Sequence, residues 1–260
     1  NPTGQGNTAF GSDSMSSNST GEYNVSFGTL SLKNNTTGKG NVGIGVGALK
    51  ENTIGNENTA VGNAALRETN GTFNTALGMG ALANLGSTDD GDGGANTAIG
   101  SFAGGDLLKG ERNIFIGYNV QGPISDTESD QLNIGNWIFG KNGQIAIGNF
   151  TDLPTAFTNS SEYQLIVKNG IRTEKVRVDL SSAHNWADYV FAKDYSLMPL
   201  YDLEKYIKTN GHLPNIPKAE EVVKEGIDLG AMDAKLLEKI EELTLHTIEL
   251  NKKNEALEKE

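Results

Sequence analysis

The chain has no cysteine and only 6 prolines among its 260 residues, with none between Thr3 and Gly122. The lack of cysteine excludes disulfide bonds, thiol catalysis and cysteine-zinc sites. Hydrophobic residues make up 36% of the chain and aromatic residues 7%, which is less than an ordinary enzyme core contains. Because no run approaches 18 apolar residues, we expect no transmembrane segment. The net charge of -12, without clusters of Lys and Arg, excludes nucleic acid as a partner.

Glycine is the residue in excess, and 25 of the 33 glycines lie within residues 1–122. They belong to a five-residue motif of asparagine, any residue, a small residue, an apolar residue and glycine, as in Asn58-Thr59-Ala60-Val61-Gly62. The motif begins at Asn7, Asn24, Asn41, Asn58, Asn74, Asn96 and Asn113, with weaker echoes at Ile134-Gly135 and Ile147-Gly148. The most frequent spacing is 17 residues, which predicts a repeat protein.

A unit this short predicts one coil of a β-solenoid, with a strand of four or five residues and corners made by Gly and Asn. Each coil offers only two or three sizeable apolar groups, for example Val61, Ala65 and Leu66. We therefore expect one face of the solenoid to be buried against other copies of the chain. The third motif position is mostly small, and we expect it near the axis between chains: Ala9, Ser26, Gly43, Ala60, Ala76 and Ala98.

Residues 1–122 resemble the Asn-Thr-Ala-x-Gly repeats of trimeric phage tail fibres and related bacterial surface proteins. At a longer period they also resemble the head repeats of trimeric autotransporter adhesins. The resemblance implies a homotrimeric, left-handed β-roll or β-prism whose outer surface touches a target. It thus implies the handedness and the number of chains, whereas the residues themselves indicate a repeat with a thin core.

One spacing is 22 residues instead of 17, and the surplus falls in residues 86–94. Asp89, Asp90 and Asp92 lie there among glycines and are candidate ligands for Ca²⁺, which prefers oxygen donors. The alternative is a solvated loop, because the complete EF-hand pattern is absent. We take these three aspartates as the candidate binding loop.

Signals for an enzyme are weak. His184, His212 and His246 lie in unrelated contexts, and no nucleophile motif such as Gly-x-Ser-x-Gly occurs. A glycan-cleaving tailspike with paired carboxylates remains the third hypothesis. The sequence predicts no catalytic residue.

After Pro123 the composition changes, and we divide the chain into four parts. Residues 1–122 are the solenoid, and 123–160 are degenerate repeats and a connector. Residues 161–228 are a small α+β module, with a β-hairpin around Asn169-Gly170 and short helices over 199–208 and 219–225. An aromatic cluster at Trp186, Tyr189, Val190 and Phe191 is either a small core, a seam between chains or a sugar site.

Residues 229–260 show a heptad pattern with alternating steps of +4 and +3, which predicts a coiled coil. Leucine occupies d, whereas a holds Ile240, Thr247 and Asn254. A single amphipathic helix packed on a globular core is the alternative. The predicted seam between chains comprises Leu236, Ile240, Leu243, Thr247, Leu250, Asn254 and Leu257.

Residues 169–255 resemble the carboxy-terminal module of secreted or tail-fibre-like proteins of Bacteroidetes, through segments such as His212-Leu213-Pro214-Asn215-Ile216-Pro217. The resemblance implies a surface or exported trimer. The leading hypothesis is a non-enzymatic fibre or adhesin on a cell, a phage tail or an injection particle, with a glycan or protein on a cell surface as target. The second is a passive stalk of an exported protein linked to type IX secretion or gliding, with a secretion, tail or baseplate component as partner. Because the chain begins inside a repeat, we expect it to be a fragment of a longer protein.

Overall fold

The computed structural model describes residues 4–86, 93–122, 125–150, 163–179 and 186–259. It divides into two compact units, Asn1–Ile171 and Arg172–Glu260. The first unit is the larger, and it holds one sheet of eleven strands whose order in space follows the order in the chain. The predicted mainly β fold is therefore confirmed, and the sheet forms a β-solenoid of about 8 turns.

Seven strands of three residues and one of four pair in parallel along the solenoid. Partners in the first three pairings lie 17 residues apart, as Thr8 with Val25, Val25 with Val42 and Val42 with Thr59. The strands are β1 Thr8–Phe10, β2 Val25–Phe27, β3 Val42–Ile44, β4 Thr59–Val61, β5 Thr75–Leu77, β6 Thr97–Ile99, β7 Ile114–Ile116 and β8 Gln131–Ile134.

The end of the sheet changes from coils to a meander. β9 (Ile138–Lys141) and β10 (Gln144–Ile147) are antiparallel neighbours joined at Asn142-Gly143, and β11 (Leu165–Val167) pairs in parallel with β10. Asn142 and Gly143 both have positive φ, as a two-residue hairpin turn requires. The hairpin predicted around Asn169-Gly170 forms only in part, because no strand is present among residues 171–179. The first strand pairs with β10 instead of folding back on its own turn.

The core of the solenoid runs along the inside of the coils within one chain. Leu32, Leu49, Leu66 and Leu82 are fully buried and belong to one apolar cluster, together with alanines such as Ala65. The middle residue of each strand from β2 to β7 points into this core: Ser26, Gly43, Ala60, Ala76, Ala98 and Phe115.

The expectation that the small third-position residues lie near an axis between chains is therefore wrong for the buried ones. They are small because they face inward, where the buried leucines of the same chain already fill the core. An ideal Cβ on Gly43 would lie 2.6 Å from the Ser31 Oγ and 3.4 Å from the Leu32 Cγ, both in the preceding coil. At Phe115 the sizes are exchanged, because the ring fills the space beside Gly104, where an added Cβ would lie 2.5 Å from the ring. Constant total volume keeps the core close-packed.

Backbone hydrogen bonds join the coils at the corners as well as in the strands. The N–H of Leu49 donates to the Ala65 carbonyl at 3.1 Å, and that of Leu66 to the Ala81 carbonyl at 2.9 Å. A proline at such a position would remove a donor. This explains why the repeats tolerate no proline.

The second unit is built from short helices around one long helix. A 3₁₀ turn covers Ala187–Phe191, α1 covers Leu200–Asn210, α2 covers Ala219–Glu225 and α3 covers Leu229–Leu257. α1 and α2 end at Gly211 and Gly226, both with positive φ, and the Asp228 side chain caps α3 by accepting from the Ala231 N–H at 2.7 Å. The three helices predicted from the sequence are present, and α3 spans 29 residues.

Candidate functional site

The long helix α3 has two faces of opposite character, and the charged face is the buried one. Its buried residues are Gly230, Ala234, Glu238, Glu241 and His246. The 3₁₀ turn Ala187–Phe191 packs against this face, with Ala187 and Val190 themselves buried. The usual arrangement of an amphipathic surface helix is the reverse, with the apolar stripe toward the core.

Hydrogen bonds hold this buried face in place. The Tyr189 hydroxyl donates to Glu238 Oε2 at 2.6 Å, and Asn215 Nδ2 donates to Glu238 Oε1 at 3.3 Å. Lys239 Nζ bridges Glu238 at 2.7 Å and Glu242 at 2.9 Å, and the Tyr195 hydroxyl donates to Glu242. These contacts satisfy the charges of Glu238, Lys239 and Glu242 and fix the rotation of α3 about its axis.

The network perturbs the ionisation of its members. Burial opposes charge on Glu238, but the hydrogen bonds from Lys239, Tyr189 and Asn215 outweigh it and lower the pKa of Glu238 below its usual value. The hydrogen bond to that carboxylate, together with burial, raises the pKa of Tyr189 to about 12. Glu241 differs, because burial and the nearby Asp188 carboxylate raise its pKa and its Oε2 has no hydrogen-bond partner.

The opposite face of α3 carries the predicted seam, and it is exposed in the single chain. Leu236 is 45% exposed, Ile240 59% and Leu243 65%. Leu250 and Leu257 follow at 48% and 69%, and the polar a positions Thr247 and Asn254 are exposed too. The structure thus brings all seven predicted seam residues onto one helix, and among the described residues each of them is exposed, not buried. The alternative, an amphipathic helix packed by this face on a globular core of its own unit, is not what is observed.

Helix α1 provides a second wall beside the seam. An apolar groove of ≈ 410 Å³ lies between Leu200, Leu203 and Leu213 on one side and Leu236, Ile240 and Leu243 on the other. A second groove of ≈ 370 Å³ adjoins it, sharing Leu200 and His246 and extending to Leu250 and Lys253. No residue of α1 is buried, so its apolar face also lacks cover.

The solenoid carries its own exposed apolar column. The third residue of the strands faces outward, and Phe10 and Phe27 stack there with ring centroids 4.8 Å apart. Their exposed fractions are 66% and 56%. The column continues through Ile44, Leu77 and Ile99.

The candidate loop residues Asp89, Asp90 and Asp92 lie outside the described residues, so their prediction as a binding or Ca²⁺ site stays a prediction. Among the residues that the structure describes, no group of three or more His, Asp or Glu side chains could hold a metal ion. His184 also falls outside this part of the chain. His246 is buried on α3, whereas His212 lies beside Tyr206 with the rings 5.8 Å apart.

The motif asparagines have a structural role that the sequence reasoning missed. Asn41 is fully buried, its Oδ1 accepts from the Asn58 N–H at 3.0 Å, and its Nδ2 donates to the Gly55 carbonyl at 2.7 Å. The same contacts repeat from coil to coil and make a column of Asn7, Asn24, Asn41, Asn58, Asn74, Asn96 and Asn113. The prediction that asparagine supplies corners with positive φ is wrong for these residues, because the positive φ falls on the residue before each of them, for example Tyr23 and Glu57. The recurrence of Asn at the first position of all seven motifs was the signal for the column.

A second asparagine column shows where the repeat is interrupted. Asn35 Nδ2 donates to Asn18 Oδ1 at 3.4 Å, and Asn52 Nδ2 to Asn35 Oδ1 at 3.0 Å. The next equivalent residue is Thr69, whose hydroxyl instead accepts from the Gly71 N–H at 3.0 Å. Asn52 Oδ1 is consequently buried without a partner.

Within the part of the chain that the structure describes, no helix has the length and apolarity needed to cross a membrane. Comparison with known protein families, with curated proteins and with solved structures finds no match to this chain.

Proposed function

We propose that the protein is a non-enzymatic homotrimeric fibre that projects from a cell surface, a phage tail or an injection particle and binds a target surface by multivalent contact. One observation carries the proposal: α3 buries its charged face within its own chain and leaves its heptad face exposed. Because hydrogen bonds to Tyr189 and Asn215 fix the helix rotation, the chain cannot cover this face by turning α3. A heptad seam is typically buried by packing against the same seam of other helices in a coiled coil, so we propose that copies of α3 cover it.

The solenoid supplies the reach of such a fibre. Its resemblance to trimeric tail fibres and adhesins supports a left-handed β-roll or β-prism built from 17-residue repeats. Three copies of a weak contact site on one particle gain avidity through effective concentration. The target in this proposal is a glycan or protein on a cell surface, and Asp89, Asp90 and Asp92, alone or with Ca²⁺, remain the candidate contact.

The mass of the particle tests the oligomer. Light scattering of the full chain is expected to give three times the 27.6 kDa of one chain. Replacing Leu250 and Leu257 by Asn should lower this mass, because polar side chains at d weaken the seam. Lys252→Asn is the matched control, since position 252 points away from the seam. A stable wild-type monomer would contradict the proposal.

A binding assay tests the adhesin. Whole cells or a glycan array should retain the wild-type chain and lose the triple variant in which Asp89, Asp90 and Asp92 become Asn. The control replaces the exposed Asp13, Asp106 and Asp126 by Asn, which removes the same charge elsewhere. Retention that depends on Ca²⁺ and disappears with a chelator would extend the site to a metal.

A passive stalk is the second candidate, and the asparagine columns favour it. From Asn18 onward, the asparagines of these columns are buried and join one coil to the next, so they are not available on the surface to bind a target. A trimer that retains its mass but binds no cell or glycan would support the stalk over the adhesin. Release of reducing sugar from a bound glycan would instead support a tailspike.

A further inference from the structure

From the grooves beside α3 we infer that the seam is not a bare coiled coil: α3 of a second copy, running parallel, lies in the cleft between α1 and α3. The inference rests on the proposed homo-oligomer and adds a second wall to its interface. Each copy then offers a cleft to one neighbour and a helix to another. This is a head-to-tail contact that closes as a ring.

The cleft and the seam are continuous. Three of the six apolar residues that line the first groove are also the first three heptad positions, Leu236, Ile240 and Leu243. The second groove continues past Leu250 to Lys253. From 236 to 253 the helix rises by about 26 Å at 1.5 Å per residue. The α3 side of the cleft is therefore long enough for several turns of a partner helix. It presents Leu236, Ile240 and Leu243 in the first groove and Leu250 in the second, where Glu249 and Lys253 form the polar end.

The far wall of the cleft presents apolar side chains that are partly exposed in the single chain. Leu200 is 47% exposed and Leu213 is 39% exposed. Leu203 faces the same groove from the middle of α1. A helix laid in a groove between two walls buries more apolar area than the same helix against one. An occupant with leucine at regular helical spacing fits this cleft, and α3 of a second copy has it.

Charge at the end of α3 favours the parallel direction. With Ile240 at a, Lys253 falls at g and Glu258 at the following e position. In a parallel pair, g of one helix faces the following e of its partner, so that Lys253 meets Glu258 of opposite charge.

The absence of native cysteine allows a direct test by disulfide trapping in the full chain. Chains carrying Leu203→Cys are co-produced with chains carrying Ile240→Cys and a longer tag, so that a mixed disulfide has its own mass. We expect the mixed disulfide after oxidation. The control pairs Ile240→Cys with Tyr201→Cys, since Tyr201 is 77% exposed and lies off the groove. This control pair should give none.

Two outcomes would overturn the inference in different ways. A wild-type oligomer of the expected mass, without the mixed disulfide between positions 203 and 240, would leave the proposed fibre intact and remove α1 from its interface. A monomeric wild-type chain would overturn both proposals. As a second measurement, Leu203→Asp should lose the oligomeric mass while Tyr201→Asp retains it. Circular dichroism must show the same helicity for both variants, so that misfolding is recognised.

Discussion

At the scale of single residues, the solenoid places chemically different demands on glycines that look alike in the sequence. Gly45 has φ of +131°, and an added Cβ would lie 2.5 Å from the Gly62 carbonyl oxygen of the next coil. Gly47 has φ of +67°, and no atom lies within 4 Å of an added Cβ. Leu30 and Ala64 occupy the corresponding corner in the neighbouring coils with φ of 61° and 54°. Gly45 is therefore required both by the close contact and by its backbone conformation. At the position of Gly47 other residues adopt the same conformation, so glycine is not required there.

We expect Gly45→Ala to destabilise the chain by about 2 kcal/mol or more, because strain at this φ adds to a backbone clash. Gly47→Ala, the matched control, should cost about 1 kcal/mol or less, since left-handed backbone is all that it must adopt. Denaturant unfolding of the two variants measures the difference. Equal losses of stability would contradict the argument.

The buried asparagines give a second prediction at this scale. Asn41→Ala removes the acceptor of the Asn58 N–H and leaves that donor buried and unpaired. The free energy of unfolding should fall by about 2 kcal/mol, within the range for an unsatisfied buried group. Asn63 is exposed, and Asn63→Ala should change it by about 0.5 kcal/mol or less. Thermal unfolding of the two variants would decide, and a silent Asn41→Ala would count against the column as a stabilising feature.

At the scale of elements, α3 shows why its rotation matters more than its helical propensity. The 3₁₀ turn packs against the buried face of α3, and Glu238 there is satisfied by the Tyr189 hydroxyl and Lys239. Glu241 differs, because its Oε2 is buried without a hydrogen-bond partner. The Asp188 carboxylate of the 3₁₀ turn is near it, and Glu238 and Glu242 are close to it in the sequence.

Glu241 therefore predicts a pH dependence. Since its folded pKa is raised, the ionised form is penalised more in the folded chain than in the unfolded chain. The penalty is full above the folded pKa and disappears below the unfolded value of about 4.5. Glu241→Gln should raise the melting temperature at pH 7, and the difference from wild type should shrink as the pH falls toward 5. Glu238, whose pKa is lowered, acts in the opposite direction in both chains and cancels in the difference.

An equal melting temperature of the two chains at pH 7 would show that Glu241 is not penalised. The matched control is Glu255→Gln, an exposed glutamate on the same helix. It should leave the melting temperature almost unchanged across this pH range, because an exposed charge contributes little to stability.

At the scale of the whole molecule, each unit leaves a long apolar surface without cover. In the first unit it is the column of outward strand residues that begins at Phe10 and Phe27, and in the second it is the heptad face with its groove. Contiguous exposed apolar surface of this kind marks interaction sites. The mass of the particle therefore tests whether copies of the chain cover these surfaces. The disulfide between positions 203 and 240 tests whether α1 belongs to the interface.

The sequence predicted the solenoid and the long terminal helix, because a regular spacing of motif residues is visible without knowledge of the packing. The sheet continues beyond residue 122, where the predicted solenoid ended, to β11 at Leu165–Val167. The sequence also predicted which residues of α3 would share a face, since a heptad is a property of one helix. It was wrong about the small strand residues and incomplete about the hairpin at Asn169-Gly170. Both errors concern the segment against which a short strand packs or pairs. The residues of the strand itself do not specify that segment.

Regular spacing in the sequence is enough to specify the repeat and the amphipathic pattern of α3. The corners with positive φ could not be read in the same way, because residues as different as Leu49, Glu57 and Phe73 occupy them. The fold was needed to show that Ala60 and Ala76 face the interior of their own chain, and that the charged face of α3 is the buried one. The physical reason is that burial is a relation between distant segments: Tyr189 reaches Glu238 across 49 residues of chain. That contact turns the heptad face outward, toward the copies that we propose cover it.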